Sequence, residues 1–287
     1  MLRRSRELFA DILRQTDLVL LALCAAASLF GVLMVASATR YMHTWRLVAV
    51  QSVALLLGVV LYLVISQIDL SDLCKYWKWI FLVGVVCILL LVTPLGIADN
   101  TGNRAWLDFP FLPVKVQPAE IVKLTLTLVL AKQLVWLKEN RNLSSIPSVL
   151  FLAAHLGVIF VLYYKVSSDM GSALVFLFIF TCMCFVGGVA LRWFLLGGLA
   201  GGLAFWAMWD LNKIPSYMKL RFQVLFDHSL DPQDTGWQQT RSLMALGSGK
   251  LTGQGLFRGT QTQSEYSSAL PNRHTDFIFT VIGEELG

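Results

Sequence analysis

The residues best placed for chemistry lie near the end of the sequence, in Asn272-Arg273-His274-Thr275-Asp276-Phe277, followed by Glu284-Glu285. Asp276 stands where a polar stretch turns into an apolar one. A carboxylate at such a boundary suits a general base, because partial burial and neighbouring cations such as Arg273 and His274 tune proton affinity in opposite directions. The competing reading is plain helix capping, in which Thr275 or Asp276 satisfies the first helical N–H groups. Residue types alone leave the two open. His274-x-Asp276 is too short to argue a metal site.

A second group is Arg104-Ala105-Trp106-Leu107-Asp108, with Gln117, Glu120 and Lys123 after it. Tryptophan at a membrane boundary usually belongs to an interfacial belt, so Trp106 taken alone argues for anchoring. Glu120 and Lys123, three apart on a helix, share a face and can pair. Charges inside a span are costly and usually face an interior cavity. Asp169 sits in a short turn, Ser167-Ser168-Asp169-Met170-Gly171, where a solvated aspartate is equally reasonable. Gly247-Ser248-Gly249-Lys250 invites a phosphate-loop reading and fails it. The earlier glycine would fall at Met244, and Leu251 follows where Ser or Thr is required.

The elements that hold these residues must be membrane helices. Of 287 residues, 56% are hydrophobic and 14% charged, against about 25% charged in ordinary soluble domains. That excess of apolar surface needs lipid to face. About 20 apolar residues span a bilayer as a helix, since lipid cannot satisfy backbone polar groups. The segments of that kind are Leu18–Ala38, Leu47–Ile65, Trp77–Ile97, Ala119–Leu137, Pro147–Tyr164, Ser172–Ala190 and Trp193–Leu211, with an eighth starting near Asp276. The predicted fold class is therefore all-α: a polytopic helical bundle of seven complete spans and the start of an eighth, in one membrane domain over 1–287. Seven spans and a stub suggest a chain that stops before its fold does. The run Leu18 to Val35 is too long for a cleaved signal peptide, despite Ala36-Ser37-Ala38 after it.

Lys and Arg favour the cytoplasmic side. Arg3, Arg4, Arg6, Arg14, Lys75, Lys78, Lys132, Lys138, Arg141 and Arg192 outnumber Arg40, Arg46, Arg104, Lys115 and Lys165 on the opposite side. This places the N-terminus in the cytoplasm and turns Asp99–Pro118, Lys165–Gly171 and the long Asn212–Thr275 segment outward. Within the last, Tyr217–Phe226 reads as amphipathic and Gln238–Leu246 as a short helix. The net charge of +5 is dispersed, which argues against nucleic acid as a partner and for membrane lipids and anionic lipid-linked substrates. The five cysteines show no disulfide or zinc spacing.

Arg273-His274-Thr275-Asp276-Phe277-Ile278-Phe279 with Gly283-Glu284-Glu285-Leu286-Gly287 resembles the signature of the SEDS family (shape, elongation, division and sporulation). Gly31–Ala38, Arg104–Leu107, Gln117–Leu124 and Gly236–Gly255 resemble further family segments in the same order. The sequence departs at Ser167-Ser168, where the family commonly has Gln-Pro, at Tyr266–Ala269, and at Arg241, where many members have Gln. The resemblance implies about ten spans and an inverting glycosyltransferase of the bacterial cytoplasmic membrane. Such an enzyme polymerises lipid II into nascent glycan strands on the outer face, beside a class B penicillin-binding protein. It further implies Asp276 as base and Arg104, Lys123 and Arg241 near the departing pyrophosphate. Trp106, Gln117, Glu120, Asp169, Arg273 and His274 complete the substrate-binding set. A divalent cation, Mg²⁺ or Mn²⁺, is the one cofactor such chemistry could use; no organic cofactor is implied. A lipid II flippase and a non-catalytic scaffold for a transpeptidase are the alternatives.

The charge asymmetry makes a topological prediction. In intact cells, a cysteine introduced at Ser264 in a background lacking the native thiols reacts with a membrane-impermeant maleimide. Reaction only after permeabilisation would reverse the orientation.

Overall fold

The computed structural model describes residues 16–98, 103–110, 114–214, 216–224, 226–227, 235–266 and 268–287. Arg3, Arg4, Arg6 and Arg14, expected on the cytoplasmic side, lie outside them. Helix dominates the described chain: α1 (Leu18–Thr39), α2 (Arg46–Ile65), α3 (Trp77–Leu90), α4 (Pro118–Asn140), α5 (Ile146–Ser167), α6 (Met170–Gly187), α7 (Leu191–Asp210), α8 (Ser216–Val224), α9 (Thr235–Gly249) and α10 (Ile278–Glu285). Two short strands, β1 (Gly96–Ile97) and β2 (Trp106–Leu107), pair antiparallel. The all-α expectation holds.

Among the described residues, six helical segments are long and apolar enough to cross a membrane: Leu18–Met42, Arg46–Ile65, Leu70–Leu90, Ile146–Ser167, Met170–Gly187 and Leu191–Asp210. At about 1.5 Å per residue, the 22 residues of α1 reach about 33 Å, enough for the ~30 Å hydrocarbon core. Asp17 caps α1, its side chain accepting from the Leu20 N–H at 3.0 Å.

The third expected span, Trp77–Ile97, needs correcting. The helix stops at Leu90, and Ile97 lies in β1. The Leu91, Val92 and Thr93 N–H groups bond three residues back instead of four, which tightens the chain into a turn. Pro94 then offers no N–H and disfavours helix at Thr93. Gly96 follows where a Cβ would come within 2.0 Å of the Leu91 carbonyl oxygen, so only glycine fits this turn.

The chain divides into two compact units, one running to Ile68 and resuming at Met208, the other Asp69–Ala207. In the second unit, α4 lies at the centre. Its apolar positions Ala119, Val122, Leu126, Val129, Leu130, Leu134 and Leu137 are buried, recurring every three or four residues along one broad stripe. Towards one end they meet Ile88, Leu107, Ile159, Tyr163 and Phe176; towards the other, Leu143, Leu152, Cys184 and Val189.

In the first unit, the end of α1 packs on α10 and α9 through Met34, Ala38, Ala245, Leu270 and Val281. The two expected short helices appear as α8 and α9, each somewhat displaced from its expected bounds; the 228–234 stretch between them is outside the described residues. Two glycines set the approach of α9 to α10. A Cβ on Gly249 would meet the Gly283 carbonyl oxygen at 1.9 Å, and one on Gly283 would meet a Leu246 methyl at 2.3 Å. The Ser242 and Thr280 hydroxyls hydrogen-bond across the same interface.

Gly249→Val must push α9 away from α10, so it should lower stability by about 1–3 kcal/mol, the usual range for overpacking. Gly247→Val is the control: it changes the same helix where a Cβ meets nothing within 4 Å. The thermal midpoint of purified protein reads both, and equal shifts would show that the close approach does not matter.

Candidate functional site

In the first unit the site grows from the end of α10. Glu284 and Glu285 are buried, at 0% and 1% exposure, and neither forms an ion pair among the described residues. Backbone amides compensate them instead. Glu284 accepts from the Gln261 N–H at 2.7 Å and from the Thr262 N–H and hydroxyl at 2.8 and 2.7 Å. Glu285 accepts from the Phe257 and Gly259 N–H groups at 3.0 and 3.4 Å. It also accepts from the Ser37 hydroxyl of α1 at 2.6 Å and from the Gln263 amide at 2.9 Å. Converging N–H groups of this kind form a concave anion cradle, and charge-assisted bonds of this type are among the strong ones.

The same loop is held from its carbonyl side by Arg273, itself 1% exposed. The guanidinium donates to the carbonyls of Gln261 at 3.1 Å, Ser264 at 3.0 Å and Tyr266 at 3.3 Å, and to that of Thr262. It lies 3.6 Å from the Tyr41 ring centroid. Burial lowers the Arg273 pKa, with Tyr41 and Glu284 acting the other way. In this geometry the two terminal nitrogens of Arg273, expected near substrate, serve the loop. His274 is half-buried, with Nδ1 enclosed and without a hydrogen-bond partner among the described residues.

Asp276 lies in the turn that Arg273 begins. The Thr275 and Phe277 N–H groups both bond to the Asn272 carbonyl, at 3.0 and 3.2 Å, with Asn272 at φ 47°. Phe277 occupies the capping position of α10, and no side chain caps it. The Thr275 hydroxyl donates to the Asn272 carbonyl. Asp276 is exposed and takes part in no hydrogen bond or ion pair with a described residue. Capping, the rival reading of this aspartate, thus has no support in the geometry, and Asp276 forms no ion pair with the neighbouring Arg273. Arg241, on α9, is half-buried with its guanidinium 5.5 Å from the Trp237 ring centroid.

The second unit gathers the other candidates at one end. β2 pairs with β1, matching Trp106 to Ile97, and Leu107 exchanges both backbone bonds with Val116, at 2.8 and 3.0 Å. This folds the Arg104–Leu107 strand back beside the start of α4. Arg104 is exposed; its N–H bonds the Ser167 carbonyl at 2.9 Å and its Nε the Gly96 carbonyl at 3.2 Å. Trp106 is half-buried. Gln117 occupies the capping position of α4 and its side chain makes no capping bond. One turn on, Lys123 Nζ lies 2.7 Å from the Glu120 carboxylate, the pairing expected from their spacing. Asp169 caps α6, accepting from the Ser172 N–H at 3.3 Å, the Ser172 hydroxyl at 2.6 Å and the Tyr163 hydroxyl at 3.2 Å.

Sequence reasoning passed over Ser37, Gln263 and the roles of Glu284 and Glu285. A signal existed: two adjacent carboxylates in an otherwise apolar helix must be satisfied internally, and Gly253, Gly255 and Gly259 mark a loop able to turn its amides inward. Among the described residues, no three or more His, Cys, Asp or Glu side chains are grouped to hold a metal ion.

Replacing one partner of the cradle should be costly. Glu285→Gln replaces one carboxylate oxygen with an NH₂ that faces either the Phe257 or the Gly259 N–H and leaves that buried donor unmatched. A loss of about 1–3 kcal/mol is expected, read as a lower thermal midpoint, while Ser37→Ala should cost less. An unchanged midpoint for Glu285→Gln would show that the loop is held by other means.

A family model described as "Cell cycle protein" (FTSW_RODA_SPOVE) matches residues 15–287. A probable peptidoglycan glycosyltransferase FtsW of Geobacter metallireducens is 32% identical over 281 residues, covering 94% of this chain and 71% of that protein. The peptidoglycan glycosyltransferase MrdB of Escherichia coli K12 is 33% identical over 235 residues; the match covers 80% of this chain and 59% of MrdB. Among solved structures, a chain from work on the coordination of polymerization and crosslinking by a peptidoglycan synthase complex aligns with a TM-score of 0.71 at 28% identity. That alignment covers 93% of this chain and 70% of the other. A mutant of the Thermus thermophilus rod shape determining protein RodA aligns with a TM-score of 0.58 at 26% identity, covering 93% and 66%.

Proposed function

The chain belongs to the FtsW/RodA/SpoVE family of cell cycle proteins, and from that premise we propose that it is a peptidoglycan glycosyltransferase of the cell membrane with Asp276 as its general base. Its substrates are lipid II and the lipid-linked end of a growing glycan strand. The observation that carries the assignment of Asp276 is its placement: an exposed carboxylate with no capping or ion-pair duty among the described residues, on a turn continuous with the buried Arg273.

In the proposed reaction a sugar hydroxyl of lipid II attacks the anomeric carbon of the donor. Asp276 takes the hydroxyl proton as the new glycosidic bond forms. The bond to the pyrophosphate breaks, and lipid pyrophosphate leaves with its electron pair and with inversion at the anomeric carbon. Positive charge is needed where the negative charge builds. Arg104 retains guanidinium donors beyond its Nε bond, and Lys123 and Arg241 are the further candidates. Trp106, Gln117, Glu120 and His274 offer apolar and hydrogen-bonding surface for substrate. Asp169 is occupied as a cap and supports its own turn. No step is routed through a metal ion.

Two further parts of the reading rest on coarser support. The N-terminus is proposed to face the cytoplasm on the Lys and Arg asymmetry, which puts Asp276 outside. A class B penicillin-binding protein is the proposed partner, supported by the likeness to a chain of a synthase complex that couples polymerization and crosslinking.

Asp276→Asn tests the base directly. Asparagine caps a helix about as well as aspartate but cannot accept the proton. The variant should make glycan strands from purified lipid II about 10²–10⁴-fold more slowly, assayed by gel in the full protein with its cognate transpeptidase. Strand synthesis near the wild-type rate would remove Asp276 from the chemistry.

A further inference from the structure

A cavity of about 490 Å³ opens at the end of the α1–α2 pair, in the first unit, and has no part in the proposed reaction. Arg40, His43, Thr44, Trp45, Val48 and Phe257 line it. We infer that it is a binding site for the phosphate of a membrane lipid. Three observations converge. The first is depth: the apolar run of α1 ends at Thr39 and that of α2 begins at Leu47, so residues 40–46 lie at the level of the headgroups. The Trp45 indole, 78% exposed, is the ring expected there.

The second is charge. Arg40 is exposed and forms no ion pair with any described residue, and its guanidinium sits 5.8 Å from the Phe257 ring centroid. A cation held over an aromatic face beside an apolar wall suits an anion carried on an acyl or isoprenoid chain. The third is rigidity. Phe257 adopts φ 63° and its N–H is bound by the buried Glu285. His43 closes the α1 turn at φ 50°. A belt residue that merely floats among lipids needs no such fixed concavity.

The inference depends on membrane placement and not on the glycosyltransferase reading, so its test uses no lipid II. The full protein is purified in detergent and titrated separately with phosphatidylglycerol, phosphatidylcholine and a polyprenyl phosphate. Retained lipid is counted by native mass spectrometry. The anionic phosphate lipids should be retained over phosphatidylcholine, and whichever dominates identifies the source of the phosphate. Arg40→Gln should weaken that retention about fivefold, the effect of the ~1 kcal/mol that one cationic side chain contributes at an anionic surface, and Arg40→Lys by less. Trp45→Ala, at an exposed rim position, should also weaken it and decides the matter if Arg40→Gln does not purify. Equal retention of all three lipids, or retention unchanged in these variants, overturns the site.

Discussion

Two carboxylates buried at the end of an apolar helix cannot remain without partners, and much of the first unit follows from how Glu284 and Glu285 find theirs. An ionised carboxylate removed from water loses several kcal/mol of solvation. Among the described residues, no cation pairs with either. The loop from Phe257 to Thr262 turns its amides inward, and Ser37 and Gln263 add side-chain donors. A loop whose N–H groups point one way turns its carbonyls another, and Arg273 collects those. Anions on one side and a guanidinium on the other fix a segment that has no regular secondary structure. Asp276 inherits its place from this arrangement, three residues after Arg273.

The second unit solves a comparable problem by packing. α4 carries Glu120, Lys123, Lys132, Lys138 and Glu139 and, among the described residues, is the one long helix outside the six apolar enough to cross a membrane. It is also the most buried, with ten side chains enclosed. The neighbouring helices cover its apolar stripe, and Glu120 and Lys123 neutralise each other near one end. The short β1–β2 pairing and the Leu107–Val116 bridge then bring Arg104 and Trp106 beside that end. Rigid elements thus position the candidates of this unit, while the other unit relies on a loop held by buried charges.

Much of this was legible in the residues. Helix positions followed from the length of apolar runs, since lipid leaves the backbone no alternative, and the Glu120–Lys123 pair followed from helical spacing. The end of α3 was misplaced because apolarity continues through Leu91, Val92 and Leu95 and hides the turn that Pro94 and Gly96 impose. The loop contacts of Arg273 were hidden for a different reason. A guanidinium in a motif that includes a candidate base invites a substrate role, and nothing local in the sequence reveals that four backbone carbonyls across a loop bind its terminal nitrogens. Long-range polar closure of this kind, such as Ser37 to Glu285 across 248 residues, has no period or spacing to betray it.

The burial of α4 bears on how the chain is made. Helices enter a bilayer roughly in order of synthesis, and an isolated segment partitions according to its own apolarity. α4 carries Lys132 near its middle, which opposes insertion of an isolated segment, and part of the cover for its apolar stripe comes from α5 and α6, which are synthesised after it. The packing around α4 is therefore complete only once those later helices emerge to cover it. Biogenesis of the second unit is in this sense a cooperative event, committed only when α6 is complete.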